Sequence, residues 1–134
     1  LSPDGNTLWI TEYANNRILR LELADPVTVL PNGSTAPYYF NGPAPDSIRV
    51  DTDGNVYVAM HRQGRILILN SNGIPIGQIL IPGREKGHFM KSTSLAIFPD
   101  KKECLILAGD GDAGDKTAIF SSPTFSKAPQ NHAS

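Results

Sequence analysis

An internal repeat constrains the fold of this 134-residue chain more than any other feature. The stretch SPDGNTLWITEYANNRILRLEL, from Ser2, aligns with DTDGNVYVAMHRQGRILILN, from Asp51. Both copies contain an acidic turn with Gly-Asn, an alternating strand pattern, a polar link and a second strand opening with Arg-Ile-Leu. The turn acids Asp4, Asp53 and Asp100 lie 49 and 47 residues apart, and the third copy has Lys-Lys where the others have Gly-Asn. The chain therefore consists of copies of one structural unit.

The repeated unit is predicted to be a group of about four short strands. Asp and Asn bond their own backbone in tight turns, and Gly adopts left-handed conformations without steric cost, so each Asp-Gly-Asn marks a turn between strands. In the middle copy we expect strands at 46–51, 56–61, 65–70 and 75–81. Four-stranded units repeating every roughly 40 to 50 residues are typical of β-propeller blades. A sandwich of consecutive hairpins would fit the strand spacing but would not explain the period.

The sequence thus predicts an all-β fold of about three propeller blades, over residues 1–43, 44–90 and 91–134. A closed propeller has at least four blades, and an isolated arc would leave strand edges exposed. Because Leu1 falls inside a repeat, we expect further blades of the same protein upstream. Association of such arcs is the alternative.

Composition narrows the possible partners and the compartment. The net charge is −1 with Lys and Arg spread along the chain, which argues against nucleic-acid binding. No apolar run approaches the roughly 18 to 20 residues of a membrane-spanning helix, so no membrane partner is expected. The single cysteine, Cys104, cannot form an internal disulfide and lies in the apolar run ECLILA, where we expect a buried, unreactive thiol. This favours a reducing compartment, and we expect a cytoplasmic location.

The run PDSIRVDTDGNVYVAMHRQGRILILNSNGIPIGQILIPGREKGH, residues 45–88, resembles the gluconolactonase and regucalcin (senescence marker protein) family. The segments IPGREKGHFMKST and APYYF are similar to its bacterial drug-responsive lactonase branch. The resemblance implies a six-bladed propeller of which this chain is the C-terminal portion. It also implies a calcium-dependent lactone hydrolase acting on a small-molecule lactone, with Ca²⁺ or another divalent cation as cofactor.

By the same resemblance, Asp46 matches the acid that binds the catalytic metal and assists the attacking water, and Ser47 matches a further oxygen ligand. The metal would polarise the lactone carbonyl. The family's other ligands, a Glu of an early blade and an Asn just before the Ser-Pro-Asp-Gly turn, have no counterpart here. Since Ca²⁺ takes six to eight oxygen ligands, the chain is expected to carry only part of the site.

Other polar residues have structural as well as functional interpretations. His88, in GREKGHFM, is a candidate substrate contact or a polar loop residue. Tyr39, in APYYF, is a candidate pocket wall, although core packing is the default for this segment. Asp51 and Asp53 are interpreted as turn residues, because the same turn recurs in each copy. The acidic stretch GDGDAGD, residues 109–115, resembles a calcium loop but lacks the closing Glu of an EF-hand, which favours a hairpin.

Two other functions stay open at the sequence level. A propeller can serve as a non-catalytic binding module for ligands or proteins, since fold does not decide function. A strictosidine-synthase-like relative would share the propeller with different site residues, and the Pro-Asp-Ser run argues against it. The first alternative would be preferred if the upstream Glu and Asn were absent.

Overall fold

The computed structural model describes residues 1–111 and 116–130, which form three antiparallel sheets. The first sheet contains β1 (Thr7–Glu12), β2 (Arg17–Asp25) and β3 (Thr28–Tyr39). The second contains β4 (Pro45–Val50), β5 (Val56–Met60), β6 (Arg65–Leu69) and β7 (Pro75–Leu80). The third contains β8 (Lys91–Ile97), β9 (Glu103–Gly109) and β10 (Thr117–Pro123). Two 3₁₀ turns, Tyr13–Asn15 and Arg84–Lys86, complete the described elements.

The second sheet confirms the strand prediction for the middle repeat, with all four strands within one residue of the expected bounds. The other two sheets have three strands each among the described residues, so four strands per repeat is wrong for them. The repeat alignment explains the difference. By that alignment β1 corresponds to β5 and β8 to β4, so the first sheet has no counterpart of β4 and the third has no described counterpart of β7.

The two central strands of the second sheet, β5 and β6, are buried on both faces, which makes the three sheets a face-to-face stack. One face packs against Trp9 and Ile18 of the first sheet and against Phe40, which directly follows β3, and Trp9 is only 4% exposed. Trp9 therefore fills space between two repeats. The other face packs against residues of the third sheet that include Leu95 and Cys104. Stacked antiparallel sheets joined by such two-sided cores are the arrangement of propeller blades.

Apolar side chains remain exposed on the outer faces of the stack. In the third sheet, Leu105, Leu107 and Ile119 are 37%, 38% and 67% exposed, whereas Cys104 and Ile106 on the opposite face are fully buried. The alternation of buried and exposed residues along β9 shows that only one of its faces is covered.

A buried polar network joins the second and third sheets at the end where β4 and β8 finish. The carboxylate of Asp51 is fully buried and accepts a hydrogen bond from Tyr57 Oη at 2.8 Å. The same phenol oxygen accepts the backbone N–H of Phe125 at 3.0 Å. Next to it, Ser126 Oγ donates to Asp53 Oδ2 at 2.8 Å. Asp51 is a turn residue as predicted, and it also anchors the segment that follows β10.

The acidic stretch 109–115 lies between β9 and β10, which pair as a hairpin, and its residues 112–115 lie outside the described residues. Among the described residues, the helices are too short and too polar to cross a membrane.

Candidate functional site

The candidate site lies at one end of the stack, where β1 and β5 finish and β4 and β8 begin. Ala44 and His61 exchange backbone hydrogen bonds of 2.7 and 2.8 Å beside the start of β4, and His61 also pairs with Lys91 at the start of β8. From the first sheet, Thr11 Oγ1 donates to the carbonyl oxygen of Asp46 at 2.9 Å. These contacts bring the corresponding ends of all three sheets together, and we call this end the site end.

Asp46 and Ser47 lie at the site end on β4, an edge strand that contacts β1 and β8. The pairing of β4 with β5 is interrupted here, because Pro45 pairs with Met60 and Ile48 with Val58. Asp46 and Ser47 therefore face the single residue between those partners, which makes a β-bulge. Bulges locally re-aim side chains and are common beside active sites.

The side-chain oxygens of Asp46 and Ser47 make no hydrogen bond or ion pair within the described part of the chain. The turn acids differ, since Asp51 and Asp53 both accept hydrogen bonds from protein groups. Both Asp46 and Ser47 are partly buried. A carboxylate and a hydroxyl that are adjacent, partly shielded and not used by the protein fit the oxygen-ligand chemistry of a hard divalent cation.

Within residues 1–111 and 116–130, no three His, Cys, Asp or Glu side chains lie close enough together to hold a metal ion. Glu12, the acid at the end of β1, is already used locally. It accepts hydrogen bonds from Asn15 at 2.6 Å and from Arg17 at 3.0 Å, and these bonds lower the pKa of the Glu12 carboxyl. Among the described residues, Asp46 and Ser47 therefore stay the candidate oxygen ligands, and their role as ligands stays a prediction.

His88 lies on the loop between β7 and β8, at the site end. Its Nδ1 is 2.9 Å from Asp110 Oδ1, and the same carboxylate oxygen accepts the backbone N–H of Phe89 at 3.1 Å. These two contacts, led by that of His88, lower the pKa of the Asp110 carboxyl. The His88 side chain is 58% exposed. A contact between His88 and substrate stays a prediction.

Tyr39 ends β3 and is 62% exposed, so core packing is wrong for this residue. It is right for Tyr38, which packs edge-to-face on Phe40 with ring centroids 5.1 Å apart. The Tyr39 hydroxyl accepts a hydrogen bond from Arg17 Nη1 at 3.3 Å, and Arg17 also forms an ion pair with Glu12 at 2.9 Å. Tyr39 therefore belongs to a polar group on the first sheet, and its role as a pocket wall stays a prediction.

Two contacts at the site end were missed from the sequence. One is the hydrogen bond from Thr11 to Asp46, between residues 35 positions apart. The other joins Tyr13 Oη and His61 Nδ1 at 3.2 Å. The sequence around His61 shows no spacing typical of a metal ligand, so His61 was not a candidate site residue. The repeat offers one weak signal for Thr11, because the corresponding position in the middle copy is the apolar Met60.

A pocket of about 370 Å³ lies at the other end of β4 and does not include Asp46. Ile48, Arg49 and Val50 line it together with Ala96 and Ile97 of β8. Asp46 lies near the opposite end of β4.

The three stacked antiparallel sheets form an arc of about three blades of a β-propeller. Solved structures support this fold. The luciferin-regenerating enzyme superposes with a TM-score of 0.72 at 16% identity over 95% of this chain and 46% of that protein. A structure from Agrobacterium tumefaciens described as a calcium-binding protein, regucalcin, gives 0.69 at 19% identity over 96% and 46%.

The family follows from the sequence match. The model of the SMP-30/Gluconolactonase/LRE-like region matches residues 1–88, and the chain belongs to this family. The chain is also similar to the protein named Lactonase drp35 from Staphylococcus aureus (strain MW2), with 45% identity over 133 residues. That match covers 98% of this chain and 41% of the relative, so the chain spans about two fifths of the length of the curated relatives it matches.

Proposed function

We propose that the protein carrying this chain is a calcium-dependent hydrolase of lactones. The observation that carries the proposal is Asp46, whose carboxylate lies on a bulge at the site end and is not used by the described protein groups. Family membership and relatives named lactonase support the reaction class. A solved relative described as a calcium-binding protein supports the choice of cation.

The full site is proposed to be completed by further blades of the same protein. Residues 1–134 would then be the C-terminal part of one propeller domain, with blades at 1–43, 44–90 and 91–134. The exposed apolar face formed by Leu105, Leu107 and Ile119 supports a neighbouring blade, as does the greater length of the relatives. A cytoplasmic location stays a prediction from the sequence.

In the proposed reaction, water adds to the lactone carbonyl carbon, the ring C–O bond breaks, and the proton of the water ends on the departing alkoxide oxygen to give a hydroxy acid. A bound Ca²⁺ would supply electrostatic stabilisation for the charge that develops on the carbonyl oxygen. Asp46 and Ser47 would hold the cation through their side-chain oxygens. The Asp46 carboxylate would also orient the water and take its proton, although a carboxylate beside a cation is a weaker base than a free one.

The test is the rate of lactone hydrolysis by the intact protein and its Asp46→Asn variant, measured with an aldonolactone and an aliphatic lactone. General-base assistance contributes at least about 100-fold, so kcat/KM should fall by at least that factor. Asp4→Asn is the matched control, because Asp4 is an exposed turn acid outside the site end and accepts only local hydrogen bonds.

Equal activity of the Asp46→Asn variant and the unaltered protein would contradict the proposal. Binding of Ca²⁺ without turnover of any lactone would instead identify a non-catalytic binding propeller.

A further inference from the structure

We propose that Thr11 is a positioning residue for the cation site, acting through the backbone of Asp46. The proposal rests on the proposed function of Asp46 and extends the site to the neighbouring sheet. Its basis is the hydrogen bond from Thr11 Oγ1 to the Asp46 carbonyl oxygen at 2.9 Å, which crosses from β1 to β4.

The bulge explains why Asp46 needs such a contact. In a regular strand, consecutive side chains point to opposite faces, so two adjacent residues do not readily bind one cation. A bulge relaxes this alternation, at the cost of interrupting the hydrogen-bond ladder. Register is lost between Pro45 and Ile48, where Asp46 and Ser47 lie. The hydroxyl of Thr11 supplies a partner for the carbonyl of Asp46 where the strand pairing is broken.

The junction between the second and third sheets shows that packing two sheets does not need a hydroxyl at the position of Thr11. At the junction of the second and third sheets, the residue corresponding to Thr11 is Met60, whose side chain is fully buried. There the hydroxyl comes from the other side, with Ser92 Oγ donating to the Met60 carbonyl at 2.7 Å. A hydroxyl on the β1-type strand is therefore not a requirement for stacking two sheets. At the first junction it contacts the backbone of the proposed metal ligand itself.

The consequence concerns the geometry of the site. Fixing the Asp46 carbonyl limits rotation of the backbone that carries both the Asp46 carboxylate and the Ser47 hydroxyl. Removing the hydroxyl of Thr11 should therefore weaken cation binding even though Thr11 is not itself a ligand. A neutral hydrogen bond contributes about 0.5 to 1.5 kcal/mol, which converts to roughly a three- to tenfold change in affinity.

The experiment compares Ca²⁺ affinity, by isothermal titration, of the intact protein and its Thr11→Val and Thr11→Ser variants. Valine keeps the shape and loses the hydroxyl, and we expect Kd to rise about three- to tenfold. Serine keeps the hydroxyl and should restore an affinity close to that of the unaltered protein. Thr35→Val is the matched control, because Thr35 Oγ1 donates to the Arg20 carbonyl at 3.4 Å within the first sheet, and its loss should leave Kd unchanged.

Thermal unfolding in EDTA provides the second readout. If Thr11→Val lowers the melting temperature but leaves Kd unchanged, the hydroxyl is merely structural and the inference is wrong. If Thr11→Val does not fold, Thr11→Ala against Thr11→Ser gives the same comparison. Absence of Ca²⁺ binding by the unaltered protein would overturn the proposed function together with this inference, whereas binding that is insensitive to Thr11 overturns the inference alone.

Discussion

The Tyr57 hydroxyl gives the sharpest stability prediction, because it holds the second and third sheets together. Tyr57 is fully buried, donates to Asp51 Oδ2 at 2.8 Å and accepts the N–H of Phe125 at 3.0 Å. Burial, assisted by the bond to Asp51, raises the pKa of Tyr57, so the phenol stays a proton donor throughout the neutral range. Substitution by phenylalanine keeps the ring and removes both bonds.

The expected cost follows from the two lost bonds. A hydrogen bond to a charged group contributes about 1.5 to 3 kcal/mol and a neutral one about 0.5 to 1.5 kcal/mol. Tyr57→Phe should therefore lower the free energy of unfolding by about 2 to 4 kcal/mol. Equilibrium urea unfolding of the intact protein, followed by circular dichroism, measures the loss as a shift in midpoint at unchanged slope.

Tyr13→Phe is the control for the loss of a phenol hydroxyl. Tyr13 is 47% exposed, and the one hydrogen bond of its hydroxyl to a described residue is that to His61, so its loss should change the unfolding free energy by no more than about 0.5 kcal/mol. If the two variants unfold at the same urea concentration, the Asp51–Tyr57 network does not hold the sheets together, and the reasoning fails.

Two further predictions concern residues outside the candidate site. Burial, followed by the charge of Glu103, raises the pKa of Cys104 from 9.0 to about 11, so the native thiol should react with Ellman's reagent far more slowly than the guanidinium-unfolded protein. Equal labelling rates in the native and unfolded states would contradict the buried position of the thiol. The stabilisation that comes from keeping the thiol neutral is complete below pH 9.0 and is lost as the pH rises toward about 11. Gly73→Ala would place a Cβ 2.6 Å from Pro37 Cβ at φ +82°, whereas Gly5→Ala at φ +78° meets nothing within 4 Å. Both variants should lose about 1 to 2 kcal/mol of unfolding free energy to backbone strain. Gly73→Ala should lose more, because its new Cβ also meets Pro37 of the first sheet. Equal urea midpoints for the two variants would contradict that contact between the first two sheets.

The local part of the fold was predictable from the sequence, because turn chemistry and strand alternation are local properties. The repeat gave the middle strands to within one residue, and Cys104 is buried as expected. The uniform four-strand unit failed for the first and third sheets, where the chain contains only part of a repeat among the described residues.

The contacts between sheets were not predictable in the same way. The network around Asp51 includes bonds from Phe125 to Tyr57, 68 residues apart, and from Ser126 to Asp53, 73 residues apart. These segments meet because the sheets stack on one another. The exposure of Tyr39 follows from its position at the end of β3, where Arg17 rather than the core contacts its hydroxyl. Neither contact leaves a local pattern in the sequence.

The candidate site was predictable from the sequence only in part. Asp46 and Ser47 were singled out by family resemblance, and their position at the start of an edge strand followed from the repeat. The bulge that interrupts the pairing between Pro45 and Ile48, and the hydroxyl of Thr11 that contacts it, could be found only in three dimensions.

Calcium titration of the intact protein and its Asp46→Asn variant tests the central claim most directly. The substitution keeps the size and the backbone of residue 46 and removes the charge, so it should leave the Thr11 hydrogen bond in place. Loss of a residue that merely orients a ligand typically costs 10- to 100-fold, so loss of the ligand charge itself should weaken Ca²⁺ binding by more than about 100-fold. Saturable Ca²⁺ binding with the same affinity in both proteins would show that Asp46 is not a metal ligand.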